Sequence, residues 1–233
     1  MKKLKSWLIG GLILCVCTGC SLDVEPLLQP PKIGGEQQAV QTALDTYVRD
    51  TAGAGARYTP EYPLEGRYTS AFLLCDEQGY PVDEGDNPAL AVAFYSLASE
   101  GESTRINLLQ RSGDQWVSVA DAPGIGIDIR QVAFGDLDGD GNAELITGWT
   151  GYSTRSYPLV VYELTEGLSL VSEEYSYNAF YVGDVTAQGH DSLMLFQTIG
   201  TENVTATLVQ MQKSRLIAGV PCRWMAVSSS LAV

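Results

Sequence analysis

The chain of 233 residues holds a single histidine, His190, and five cysteines, and no Cys/His spacing suited to a tetrahedral zinc site is present. Positive charge is scarce as well. Fourteen Lys and Arg face 28 Asp and Glu, for a formal net charge of −14. So acidic a surface excludes nucleic acid as a partner, because phosphates demand Lys and Arg, and it is compatible with cation binding. Long apolar runs are also missing: the stretch from Trp7 to Val16 falls short of the roughly 20 residues that span a bilayer. Helical periodicity is confined to one short segment near the start.

What the N-terminus does contain is an export signal. Lys2, Lys3 and Lys5 precede the apolar run, and Cys17-Thr18-Gly19-Cys20 follows it, giving a charged region, a short hydrophobic region and small residues before a cysteine. This ending resembles the lipobox of bacterial lipoproteins, with Cys17 where leucine is usual. The resemblance implies cleavage after residue 19, lipidation of Cys20 and anchoring in a membrane through acyl chains, each buried methylene adding about 0.8 kcal/mol. An ordinary secretory signal cleaved near Gly19 is the alternative. Residues 20–35, with Pro26, Pro30 and Pro31, read as the lipidated cysteine and a tether. Loss of the three signal lysines takes the charge from −14 to −17. Cys15 and Cys17 leave with the signal, and Cys75 and Cys222 read as two unrelated buried thiols rather than a disulfide.

Residues 36–49 place Ala39, Val40, Ala43, Leu44, Tyr47 and Val48 on one helical face. Residues 56–220 then read as all-β: short runs rich in Val, Leu, Tyr, Phe and Thr, punctuated by Gly, Pro, Asp and Ser. Laying 134–149 (FGDLDGDGNAELITGW) over 182–197 (VGDVTAQGHDSLMLFQ) aligns Asp136 with Asp184, Gly141 with Gly189 and Leu145 with Leu193. A weaker copy lies near the start, its first loop expanded by an insertion. The units span about 68–121, 131–177 and 179–220, each about four strands. The expected fold is an incomplete β-propeller of about three four-stranded blades preceded by one short helix, with a β-sandwich as the alternative.

The stretch from Gly135 to Glu144 carries the chemistry. A hard cation such as Ca²⁺ takes six to eight oxygens, which alternating carboxylates supply when glycine permits a sharp turn. Asp136, Asp138 and Asp140 alternate, Gly141 turns the chain, Asn142 offers a carbonyl and Glu144 closes the set. An EF-hand would put its bidentate glutamate at loop position 12, here Thr147, and would flank the loop with helices. No Lys or Arg lies between Arg130 and Arg155 to balance four carboxylates in nine residues. Ca²⁺ is expected over Mg²⁺, which prefers to keep its waters, and its role is structural.

The D-x-D-x-D-G-x-x-E pattern between two strands resembles the calcium loops of FG-GAP and VCBS repeats, found also in integrin α-chain propellers, with Glu144 where aspartate is usual. Together with the lipobox, the chain resembles a bacterial FG-GAP/VCBS-repeat lipoprotein. The resemblance implies Ca²⁺ on Asp136, Asp138, Asp140, Asn142 and Glu144. It does not extend to the third loop, where Asp184 remains but Thr186, Gln188 and Ser192 replace acids, nor to the first, where Asp76, Asp83 and Asp86 have lost the spacing.

Catalytic signals are thin. His190 beside Asp191 has no identifiable nucleophile, and Glu173 and Glu174, as neighbours on a strand, would point to opposite faces. Trp116, Trp149 and Tyr162 read as core between sheets. Asn203-Val204-Thr205 matches a glycosylation acceptor, which carries little meaning in a bacterial lipoprotein. The segment 221–233 lacks a fourth loop, and closed propellers have at least four blades; a frameshift near Val220 in a longer parent is the expectation. Two function classes follow: a membrane-anchored, calcium-stabilised module binding an extracellular protein or polysaccharide, or an extracellular hydrolase with an unrecognised or truncated active site.

Overall fold

The computed structural model describes residues 34–98, 104–152, 157–165, 167–199, 203–212, 215–219 and 221–225. The signal, Cys20 and the tether up to residue 33 lie outside the described residues, as does the tail from 226 onward. No helix among the described residues is long and apolar enough to cross a membrane.

One α-helix, α1 (Gly35–Ala52), precedes three antiparallel sheets, none closed on itself. It begins one residue earlier and runs three residues further than the periodicity over 36–49 predicts. Its last turn carries Arg49, and Gly53 ends it at φ 101°, where the N–H of Gly53 bonds the Arg49 carbonyl. The first turn is held from outside: Glu84 Oε1 accepts the N–H groups of Glu36 and Gln37, a carboxylate placed on the positive end of the helix dipole.

The first sheet, A, contains β1 (Tyr58–Pro60), β2 (Phe72–Cys75), β3 (Leu90–Leu97), β4 (Thr104–Ser112) and β5 (Gln115–Pro123). β1 and β2 share one edge of β3, so the sheet has four strand positions. Sheet B contains β6 (Asp128–Gly135), β7 (Glu144–Thr150) and β8 (Pro158–Glu163), with β9 (Ser169–Leu170) and β10 (Tyr175–Ser176) sharing the free side of β8. Sheet C repeats this with β11 (Ala179–Gly183), β12 (Ser192–Ile199) and β13 (Asn203–Gln212), flanked by β14 (Arg215–Ala218) and β15 (Cys222–Met225). β1 precedes the repeat boundary read at 68, and β15 falls in the stretch read as an atypical tail. Strand partners decide both placements.

The sheets stack face to face in chain order. In β3 all eight residues are buried and the period of two divides them: Leu90, Val92 and Phe94 join a core with Ile129, Leu145, Trp149 and Tyr162 of sheet B. Ala91, Ala93, Tyr95 and Leu97 pack with Val40, Leu44 and Val48 of α1. Burying those three helix side chains contributes roughly 1.5–3 kcal/mol each. A third core joins Ile146, Leu159 and Val161 of sheet B to Phe180, Leu193 and Leu195 of sheet C. The expected core positions of Trp149 and Tyr162 are thus between sheets A and B, whereas Trp116 packs under the helix. On the far side of sheet C, Tyr181 is exposed and Met194 and Phe196 are half-buried.

Polar contacts fix the same packing. Glu36 accepts from Trp116 Nε1 at 2.9 Å and pairs with Arg111 at 3.3 Å. Asp121 accepts from Arg105, from the Tyr95 hydroxyl and from Asn107 Nδ2, a network beneath the helix that sequence periodicity does not reveal. Cys75 is buried and free, and burial pushes its thiol well above the usual range, so it is inert packing. The side chain of Cys222 lies outside the described residues.

Candidate metal centre and the loops around it

Each sheet joins an edge strand (β2, β6, β11) to its neighbour (β3, β7, β12) by a loop, and the middle loop is 136–143, between β6 and β7. Asp136 organises it: Oδ1 accepts the Gly139 N–H at 2.6 Å and Oδ2 the Gly141 N–H at 3.1 Å. Both glycines sit at positive φ, 83° and 90°, which lets the chain fold back around one carboxylate. Asp138 Oδ1 accepts from Asp140 N, and Asp140 accepts from both the backbone and the side-chain amide of Asn142. Glu144 Oε2 accepts the Leu137 N–H at 2.7 Å.

Asp136, Asp138 and Glu144 bring one carboxylate oxygen each to within 4.8 Å of one another. Asp140 and Asn142, expected in the same set, bond to each other beside it. Glu144 is 2 % exposed. Burial pushes its carboxyl up to about 8, the Leu137 N–H opposes this, and the charges of Asp138, Asp136 and Asp140 raise it further. Partial desolvation raises Asp138 as well, although its side chain is exposed, with Asp140, Asp136 and Glu163 adding to the effect against the Asp140 N–H. Every neighbouring charge acting on these two groups is negative. Hard oxygen donors converging on a buried, uncompensated carboxyl fit a divalent cation of the Ca²⁺ type, each oxygen keeping a lone pair for it. Asp136, Asp138 and Glu144 are the residues that would hold it, with Asp140 and Asn142 within the same turn.

The raised Glu144 has a pH consequence. Its folded value lies above the unfolded carboxylate range, so the metal-free fold is most stable below about pH 4.5 with respect to this group and loses that contribution as pH rises through about 8. Glu144→Gln keeps an acceptor for Leu137 and removes the charge. In chelator at pH 8 the variant is expected to melt above the parent, and at pH 4, below the unfolded carboxyl value, the gap is expected to close; thermal melts at both pH values check this.

Leu137, between two aspartates, is buried in the core shared with sheet C. The loop is therefore pinned from below by an apolar side chain that sequence reading takes for a spacer. Its neighbours pin it laterally. Ala143 N donates to Gln78 O in the first loop at 2.7 Å, and Asp191 N in the third loop donates to Asp136 O at 2.7 Å. Asp191 Oδ2 also accepts from Asp136 N. In the first loop Asp76 Oδ1 accepts from Gln78 and Tyr80 N–H groups, so Asp76 keeps the organising role despite its lost spacing. In the third, Asp184 accepts from Gln188 and Gly189 N–H groups, which hold its carboxyl below the usual range. Thr186 turns a buried hydroxyl inward with no partner, and Gln188 is exposed. No second cluster of three acidic, His or Cys ligands forms there among the described residues.

His190 sits against Gly139, with Nδ1 2.9 Å from the Asp191 carbonyl. Glu173 and Glu174 lie between β9 and β10, both exposed, rather than on a strand. A scan of protein-family models, a search of curated proteins and a search of solved structures each return no match.

Proposed function

We propose that this chain is a lipid-anchored, extracytoplasmic bacterial lipoprotein whose FG-GAP/VCBS-like sheets are blades of an incomplete β-propeller, stiffened by structural Ca²⁺ and acting as a binding or scaffold module. The observation that carries it is the equivalence of the three loops: each follows an edge strand (β2, β6, β11), each is organised by its first aspartate (Asp76, Asp136, Asp184), and backbone bonds join them in series. Four strand positions per sheet and the close approach of β6 to β11 at Gly135 and Val182 support the blade reading. The partner class is an extracellular protein or polysaccharide, with the membrane engaged through Cys20.

Anchoring is tested at that cysteine. In bacterial expression the parent is expected to incorporate labelled palmitate and to enter the detergent phase on Triton X-114 partition. Cys20→Ser is expected to lose both. An unlabelled parent in the aqueous phase would establish the ordinary secretory signal instead.

A further inference from the structure

The edges of the three sheets are treated differently. At the edges opposite β6 and β11, sheets B and C end in broken strands of two to four residues, β9 with β10 and β14 with β15, a common way of blunting an edge against pairing. Sheet A ends in β5, nine residues long and continuous except for a β-bulge at Val119, which has no partner between the pairs Leu109–Ser118 and Leu108–Ala120, so the regular edge is the segment 115–118, with Val117 exposed at 44 %. The two-residue loop Gly113-Asp114 makes Ser112 and Gln115 a bonded pair, so alternation turns the backbone groups of Trp116 and Ser118 away from β4. No backbone partner meets them among the described residues.

Between this edge and α1 runs a groove of about 590 Å³, lined by Ala39, Thr42 and Thr46 of the helix and by Gln115, Trp116 and Ser118 of the strand. Ser118 Oγ is buried there with no hydrogen-bond partner. Asp50 and Asp114 stand at the lining and no basic side chain does. An edge strand beside a helix, with pockets for alternate side chains, is the geometry of peptide recognition by strand addition.

We propose that this groove takes an extended, lysine- or arginine-bearing peptide segment of another protein as an added strand on β5. A second copy of this chain is disfavoured as occupant by its own charge of −14. The groove shares no residue with the 136–144 loop, so peptide binding and calcium binding succeed or fail separately.

The test uses the full chain in detergent and a fluorescein-labelled decapeptide of alternating lysine and valine, followed by anisotropy in calcium and again in chelator. Saturable binding with Kd below about 1 mM is expected. Ser118→Pro, which deletes an outward N–H and is tolerable on an edge, and Thr42→Trp, which fills the groove from an exposed helix position, are each expected to weaken it about tenfold or more. A copy of the peptide N-methylated at alternate amides is expected to lose binding, and so is a glutamate–valine decapeptide. Absence of saturation, indifference to both variants, equal binding of the N-methylated peptide, or self-association in sedimentation that Ser118→Pro abolishes would each overturn the proposal.

Discussion

Saturating Ca²⁺ is expected to raise the melting temperature of the purified protein by about 5–10 °C, and Asp138→Ala to remove the rise. The magnitude follows from mass action: a ligand at a hundredfold its Kd stabilises by about 2.7 kcal/mol, and in a domain of this size each kcal/mol moves the transition by roughly 2–4 °C. The source of the energy is the carboxyl cluster. Without a cation, Asp136, Asp138 and Glu144 approach within 4.8 Å, with Glu144 2 % exposed and lifted to about 8 mainly by burial. A bound divalent ion would offset that penalty and hold Glu144 ionised. Asp138 is the informative site because it is exposed and accepts only a local N–H from Asp140. Its removal leaves the packing intact, so a lost response reports the ion and not the fold. Because binding must release the Glu144 proton, apparent affinity is expected to fall on the order of fiftyfold from pH 8 to pH 6. A melt indifferent to Ca²⁺ in parent and variant alike would reduce 136–144 to an acidic turn.

Trp149→Ala is expected to destabilise the fold by about 3–5 kcal/mol, read from denaturant unfolding. Trp149 is fully buried between sheets A and B, and its Nε1 donates to Thr147 Oγ1 at 3.0 Å. The link from β5 to β6 is built around it: a Cβ at Gly124 would lie 2.5 Å from both the ring and the Thr104 carbonyl. Truncation thus leaves a void that Gly124, closely packed on the ring and without a side chain, cannot fill by a small shift. Trp149→Phe, which keeps most of the volume and loses the bond to Thr147, should cost less. A loss below about 1 kcal/mol for the alanine variant would mean that the two sheets do not depend on this contact.

Local pattern made a good part of the architecture legible. The helix followed from the spacing of Val40, Leu44 and Val48, all buried against sheet A, and the β4–β5 hairpin from Ser112-Gly113-Asp114, whose glycine takes φ 63°. The acidic loop was visible because alternating aspartates and glycines state its turn directly. Three-residue β1, which includes Pro60, was not visible, since its strand character comes wholly from pairing with Tyr95 to Leu97. Asp191 was read only beside His190, although its bonds go to Asp136, 55 residues away. Leu137 and the Arg105–Asp121 pair were hidden for the same reason: burial there is set by a neighbouring sheet or helix, not by the residues next in sequence.

The seat of α1 on sheet A gives the stack a beginning. The face of sheet A turned away from sheet B is taken by Val40, Leu44 and Val48, and Glu84 and Trp116 hold the helix there by hydrogen bonds. Seating a further sheet on that face requires the helix to be evicted first, exposing three apolar side chains and freeing the first-turn amides. Among the described residues the stack is therefore open only at the outer face of sheet C, where Tyr181 is exposed, with α1 as a doorstop at the other end.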